Sequence, residues 1–236
     1  MTPRRLHAVL LERFGRQGWW PVTPAGGLRP RYVPGRGFPK KDSERLEIAV
    51  GAILTQNTAW TNVERALERL HRERAVTVET LAVERPSRLA RWIRSSGYFR
   101  QKARKLRVLA RWLLERGSRL GPLLEGPLAA ARERLLSLWG VGPETADSIL
   151  LYAGGRPVFV IDAYTLRIGR RLGWLGAQDG YDSAQAYFHA RLPRSAKLYA
   201  EYHALLVELA KRHCRATPAC EGCPARPGCA FGGNKS

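Results

Sequence analysis

The sequence predicts an all-α protein, on three observations. Apolar residues recur at helical spacing along most of the chain, as in Val63, Ala66, Leu67 and Leu70, which follow i, i+3, i+4, i+7. Glycine and proline punctuate these stripes, at Pro86, Gly97, Gly117, Pro122, Gly126 and Pro127. The only strand-like run, VFVI at Val158–Ile161, is short. No repeat of fixed period is present.

Each element follows in order. MTPRRLHAVLLERFG carries a short helical pattern in Leu6, Val9, Leu10 and Phe14. The next stretch, rich in Gly, Pro and Arg to about Lys41, should be loop with few ladders. Trp19, Trp20, Tyr32 and Phe38 argue against a free linker there, because disordered segments are poor in aromatics. LEIAVGAIL is apolar on nearly every face, as a buried central helix is. Ala103, Leu106, Ala110 and Leu113 form another stripe, with Arg104, Lys105, Arg107 and Arg111 on the other side. Ala131, Leu135 and Leu138 mark a further helix. Two more are expected, after Asp162 and around Leu198–Arg212.

The chain has 236 residues, enough for one large domain or two small ones with a real core. Forty Lys and Arg oppose twenty Asp and Glu, a formal net charge of +20. A GC-rich genome that favours Arg would account for it blandly. A polyanionic partner accounts for it functionally, because basic side chains displace the counterions of phosphates. No stretch approaches the roughly 20 apolar residues of a membrane span. Glu12 and Arg13 break the apolar run near the N-terminus, so a signal peptide is not expected and a cytoplasmic location is. All four cysteines fall in Cys214-x5-Cys220-x2-Cys223-x5-Cys229, the pattern of one local metal site. Four thiolates suit either an iron–sulfur cluster or structural zinc.

One stretch concentrates the chemistry: LWGVGPETADSILLYAGGRPVFVID, Leu138–Asp162. Gly140-Val141-Gly142 makes a tight turn, and Pro143 suits the first turn of the helix that follows. Such a turn is either structural or a phosphate cradle formed by glycine backbone and a helix N-terminus. Asp162 stands before AYTLRIGRRL, where it can cap a helix, act as a catalytic carboxylate, or do both.

This whole stretch resembles the endonuclease III superfamily of DNA glycosylases, with its helix-hairpin-helix, Gly/Pro-rich loop and catalytic aspartate. GAILTQNTAW, SSGYFRQKARKLR and the cysteine cluster extend the resemblance over Leu46 to Cys229. It implies a six-helix barrel domain at 42–155 and a metal-cluster domain built from 1–41 and 156–236. It implies double-stranded DNA with a damaged base as partner, a monomer, and nucleoid association in a bacterial cytoplasm. Asp162 becomes the catalytic residue. Gln56 becomes the wedge that fills the duplex gap when a base is flipped. Asn57, Tyr98, Gly140, Val141, Gly142 and Thr145 become DNA contacts. Arg100, Lys102, Arg104 and Lys105 either face the DNA backbone or form a solvated basic face.

Within the superfamily the motifs look most like the 3-methyladenine glycosylase branch. That branch carries a Trp-Trp-Pro (here Trp19, Trp20, Pro21), an aromatic four residues after the wedge (Trp60), and Glu in place of the lyase Lys (Glu144). Stacked aromatic faces suit a cationic alkylated purine. A carboxylate at 144 cannot form an imine, and no Lys lies in the hairpin or the loop after it, so the resemblance implies a monofunctional glycosylase. The alternatives are a bifunctional glycosylase/lyase for oxidised pyrimidines and a non-catalytic DNA-binding protein. Two departures stand out. YAEYHALLVELAKRH lacks the Lys that some members place in that helix. The first Cys gap is one residue shorter than the usual [4Fe–4S] spacing, though the resemblance still favours that cluster over zinc.

Overall fold

The computed structural model describes residues 1–232. Among them the secondary structure is helical throughout. The one β-type pairing is an isolated bridge between Val22 and Arg31. No described helix is long and apolar enough to cross a membrane. The chain divides into two compact units. One comprises Met1–Trp19, Val33–Arg36 and the chain from Pro157, and the other Trp20–Tyr32 and Gly37–Arg156. Residues 20–32 and 37–41, expected with the termini, therefore cluster with the central helices.

In the terminal unit, α1 (Pro3–Phe14) starts at Thr2, whose hydroxyl accepts from Arg5 N at 3.3 Å, and buries Leu6 and Leu10. It packs on α10 (Tyr181–Arg191) and α11 (Ala196–Arg212), and α9 (Ala163–Arg171) packs on the same two helices. The core is aromatic. Phe159 stacks on Phe188 at 4.3 Å and meets Tyr199 and Tyr202 edge-on. The VFVI run is extended and buried but joins no sheet. At Phe159 the polar backbone is satisfied by α10 side chains: Phe159 N–H donates to His189 Nε2 (3.0 Å), and Gln185 Nε2 donates to the Phe159 carbonyl (2.7 Å). Three helices follow Asp162 where two were expected. α10 escapes notice because it buries only Ala184 and Phe188, too thin a stripe to read from sequence.

The second unit contains α2 (Asp42–Leu54), α3 (Trp60–Arg72), α4 (Val78–Val83), α5 (Pro86–Trp92), α6 (Phe99–Leu114), α7 (Leu128–Leu136) and α8 (Pro143–Ser148). α2 is buried on every side from Leu46 onward, as its continuous apolar run predicts. The buried carboxylate Glu47 accepts from Thr23 N and Oγ1, each at 2.8 Å, and meets His71 Nε2 at 3.0 Å. These bonds bind the Gly/Pro-rich segment to two helices, which explains why it is ordered. α8 runs into a buried π-helical turn, Ile149–Ala153, which packs on α2.

Candidate active site

In the terminal unit, the chain passes from the extended VFVI run directly into α9, and Asp162 is the helix N-cap. Its Oδ1 accepts from Thr165 N (2.7 Å) and Thr165 Oγ1 (2.8 Å). Its Oδ2 faces His203 Nε2 of α11 at 3.6 Å. The Asp162 side chain is 14% exposed and that of His203 is 9% exposed. Burial pushes the Asp162 carboxyl up, but His203 and the two Thr165 donors outweigh it and hold the group below the ordinary carboxylate range. The result is a fixed anion with little water around it. Sequence reasoning missed His203. The available signal was a histidine on the inward face of an apolar helix, beside the buried Tyr199, Tyr202 and Leu206.

In the second unit, the hairpin between α7 and α8 has the expected form. Gly140 has φ +85°, Val141 is buried with its N–H on the Leu138 carbonyl (3.0 Å), and exposed Gly142 caps α8 ahead of Pro143. Glu144 is exposed in the first turn of α8, and Thr145 is buried. Below them, the fully buried Asp147 receives both Arg132 Nε (2.8 Å) and Nη2 (3.2 Å).

Gln56, two residues past α2, reaches this hairpin. Its Nε2 donates to the Gly140 carbonyl (3.1 Å) and to Thr145 Oγ1 (2.9 Å), and Lys105 Nζ donates to its Oε1. Asn57 (φ +53°) and Tyr98 (φ +44°) are exposed residues in left-handed conformations, Tyr98 being 68% exposed. Non-glycine residues adopt this conformation at an energetic cost, so both loops are held in place by their surroundings.

Two expectations for α6 need correction. Lys102 does not face solvent. It is 2% exposed, and its ammonium donates to the Leu54 carbonyl (2.9 Å) and the Ser96 carbonyl, satisfying groups left open at the end of α2 and of the 3-10 turn Arg94–Ser96 that precedes α6. Burial, helped by Lys105, pushes it down to about 8. Lys105 is engaged with Gln56 instead of presenting its charge outward, so an amine does reach the hairpin from outside it.

Of the aromatic candidates, Trp19 belongs to the terminal unit and is half-buried. Trp20, Pro21 and Trp60 belong to the second unit. Trp20 meets Trp60 edge-on at 5.1 Å and Tyr152 at 5.2 Å. Trp20 lies so close to Gly51 that a Cβ there would sit 3.1 Å from its ring, so a larger residue at that point of α2 would push against the indole. Trp20 and Trp60 are each 8% exposed, so they present a rim of a cluster that is mostly core.

Cys214, Cys220, Cys223 and Cys229 are free thiols lining one cavity, with Ile168 and Leu209 of α9 and α11 on its wall. Neighbouring residues brace the loop. Arg167 Nε donates to the Cys214 carbonyl (2.8 Å), and Arg171 donates to Cys214 Sγ (3.3 Å) and to the carbonyls of Arg215 and Ala216. Among the described residues, no three His, Cys, Asp or Glu side chains are gathered to hold a single metal ion.

Comparison with known proteins agrees with this geometry. A family model described as HhH-GPD superfamily base excision DNA repair protein matches residues 50–194. The chain is 37% identical over 228 residues to a Methanocaldococcus jannaschii protein assigned to the DNA repair glycosylases, covering 95% of this chain and 94% of that one. It is similar to H. pylori 3-methyladenine DNA glycosylase bound to 1,N6-ethenoadenine (27% identity, TM-score 0.68, 90% and 98% coverage). It also shares the fold of endonuclease III in a non-covalent DNA complex (21% identity, TM-score 0.76, 100% and 98% coverage). The chain belongs to the HhH-GPD superfamily of base excision DNA repair proteins. With that membership comes its coarse function, a base-excision DNA glycosylase.

Proposed function

We propose that the protein is a monofunctional glycosylase that removes an alkylated purine, such as 3-methyladenine, from double-stranded DNA by hydrolysis. The observation that carries this reading is the state of Asp162: an anion fixed by Thr165 and His203 at a helix N-cap, in the family's catalytic position. In this mechanism the C1′–N bond breaks with its electron pair going to the base. Positive charge develops on the sugar ring, the Asp162 carboxylate stabilises it, and a water adds at C1′ while losing its proton to that carboxylate. An alkylated purine is already cationic and leaves as a neutral base, so one carboxylate suffices. The similarity to a 3-methyladenine glycosylase and the Trp20–Trp60–Tyr152 cluster, as the proposed rim of a base pocket with Pro21, support this substrate class.

Gln56 is the proposed gap-filling wedge. Asn57, Tyr98, Gly140, Val141, Gly142 and Thr145 are the proposed DNA contacts. Glu144 stands where a lyase would need an amine. The lyase reading keeps one supporting observation, the arrival of Lys105 at the hairpin, but that side chain is engaged as a donor to Gln56.

For the cysteines the proposed group is a [4Fe–4S] cluster. A zinc ion needs four thiolates about 2.3 Å from one point. A four-iron cluster takes one thiolate per iron, so its ligands line a shared cavity without converging. The four thiols line one shared cavity, and the resemblance to endonuclease III favours the cluster there. Bound there, the cluster would tie the loop covalently to one inorganic core, and base removal needs no electron from it.

The test is release of free base from duplexes carrying 3-methyladenine, thymine glycol, uracil, or adenine opposite 8-oxoguanine. Wild-type protein is expected to release 3-methyladenine, and Asp162→Asn to lose at least 100-fold, the scale of removing one electrostatic stabiliser. Release of thymine glycol alone, or an unchanged D162N variant, contradicts the reading.

A further inference from the structure

We propose that Lys105 is a positioning residue for Gln56: it locks that side chain onto the hairpin before DNA arrives, so that the loop after α2 and the hairpin meet a duplex as one preformed surface. The inference rests on the reading of Gln56 as the gap filler.

Three contacts saturate the Gln56 amide. Its carbonyl oxygen accepts from Lys105 Nζ, and its two N–H groups go to the Gly140 carbonyl and Thr145 Oγ1. Only one orientation of the amide satisfies all three, because the cation must face oxygen. The Lys105 stem is held too. A Cβ at Gly140 would lie 2.6 Å from Lys105 Cγ and Cε, so the glycine that supplies φ +85° to the hairpin also makes room for the lysine chain to cross it. One turn earlier on α6, Lys102 binds the last carbonyl of α2 and that of Ser96. A single helix thus fixes the Gln56 loop, the approach to Tyr98, and the hairpin. A glutamine side chain loses rotamer entropy when it fills a duplex gap, and ordering it beforehand removes that loss from the binding step. The competing role for Lys105 is an ordinary phosphate contact.

The variant Lys105→Met keeps the stem and removes the charge. Affinity is measured by fluorescence anisotropy across a salt series. The two duplexes are identical except that one carries a tetrahydrofuran abasic analogue. Lys105→Met and Gln56→Ala are each expected to lose roughly tenfold of the preference for the abasic duplex, the worth of a hydrogen bond to a charged group. The double variant should lose no more than Gln56→Ala alone, and the salt slope should match that of the wild type. Equal weakening on both duplexes with a salt slope lower by about one marks a phosphate contact and overturns the proposal. Additive losses in the double variant overturn it as well. If Gln56→Ala keeps its full preference for the abasic duplex, the gap-filling reading itself is what fails. The wild-type protein offers a readout that needs no variant. The Gln56 side-chain amide should give two dispersed, slowly exchanging NMR signals without DNA, and a pair at solvent-exposed positions would overturn the lock.

Discussion

The two oxygens of Asp162 are not equivalent. Oδ1 is occupied by both donors of Thr165, while Oδ2 faces His203 and, in the proposed mechanism, is the oxygen that acts on the sugar cation. His203 offsets the burial that would otherwise raise the carboxyl, so Asp162 stays ionised to lower pH than an ordinary aspartate. A group with a depressed pKa loses its anion only as pH falls through that depressed value. Replacing His203 with Gln should therefore move the acid limb of the single-turnover base-release profile to higher pH, with little change on the plateau. A limb at the wild-type position would show that His203 does not tune Asp162. Asp162 was legible in the sequence because the loop and hairpin before it form a linear signature. His203 was not, because its proximity to Asp162 depends on α9 packing against α11, and nothing local to YAEYHALL records that.

At the scale of elements, the hairpin depends on a buried ion pair. Asp147 of α8 is fully buried, and both its oxygens are met by Arg132 of α7. Removing Arg132 takes two charged donors from a carboxylate in a poorly solvated place. Arg132→Ala should therefore lower stability to urea by about 3 kcal/mol. A loss under about 1 kcal/mol would mean the pair acts as a solvated surface bridge. Helices whose apolar stripes are wide, such as α2, α3 and α6, could be read directly from the sequence. α10 could not, with two buried residues one turn apart. The basic run on α6 misled for another reason. Charge composition suggests solvent, but Lys102 points inward to carbonyls left open by α2 and Ser96, and only the tertiary packing supplies those partners.

For the whole molecule, the formal charge of +20 states the class of partner, a polyanion, without naming the chemistry performed on it. Fold and family narrow that to a base-excision glycosylase. The choice between base removal alone and base removal with strand cleavage turns on whether an amine reaches the sugar. In the proposed reading Glu144, in the first turn of α8, takes the hairpin position where the amine would stand, and Lys105 at the hairpin is bonded to Gln56. The most direct measurement is strand nicking of a 3-methyladenine duplex by the wild-type protein, with and without alkali, with sodium borohydride present in a parallel reaction. The account predicts intact strands until alkali is added and no covalent protein–DNA adduct. Nicking without alkali, together with a borohydride-trapped adduct, would contradict it.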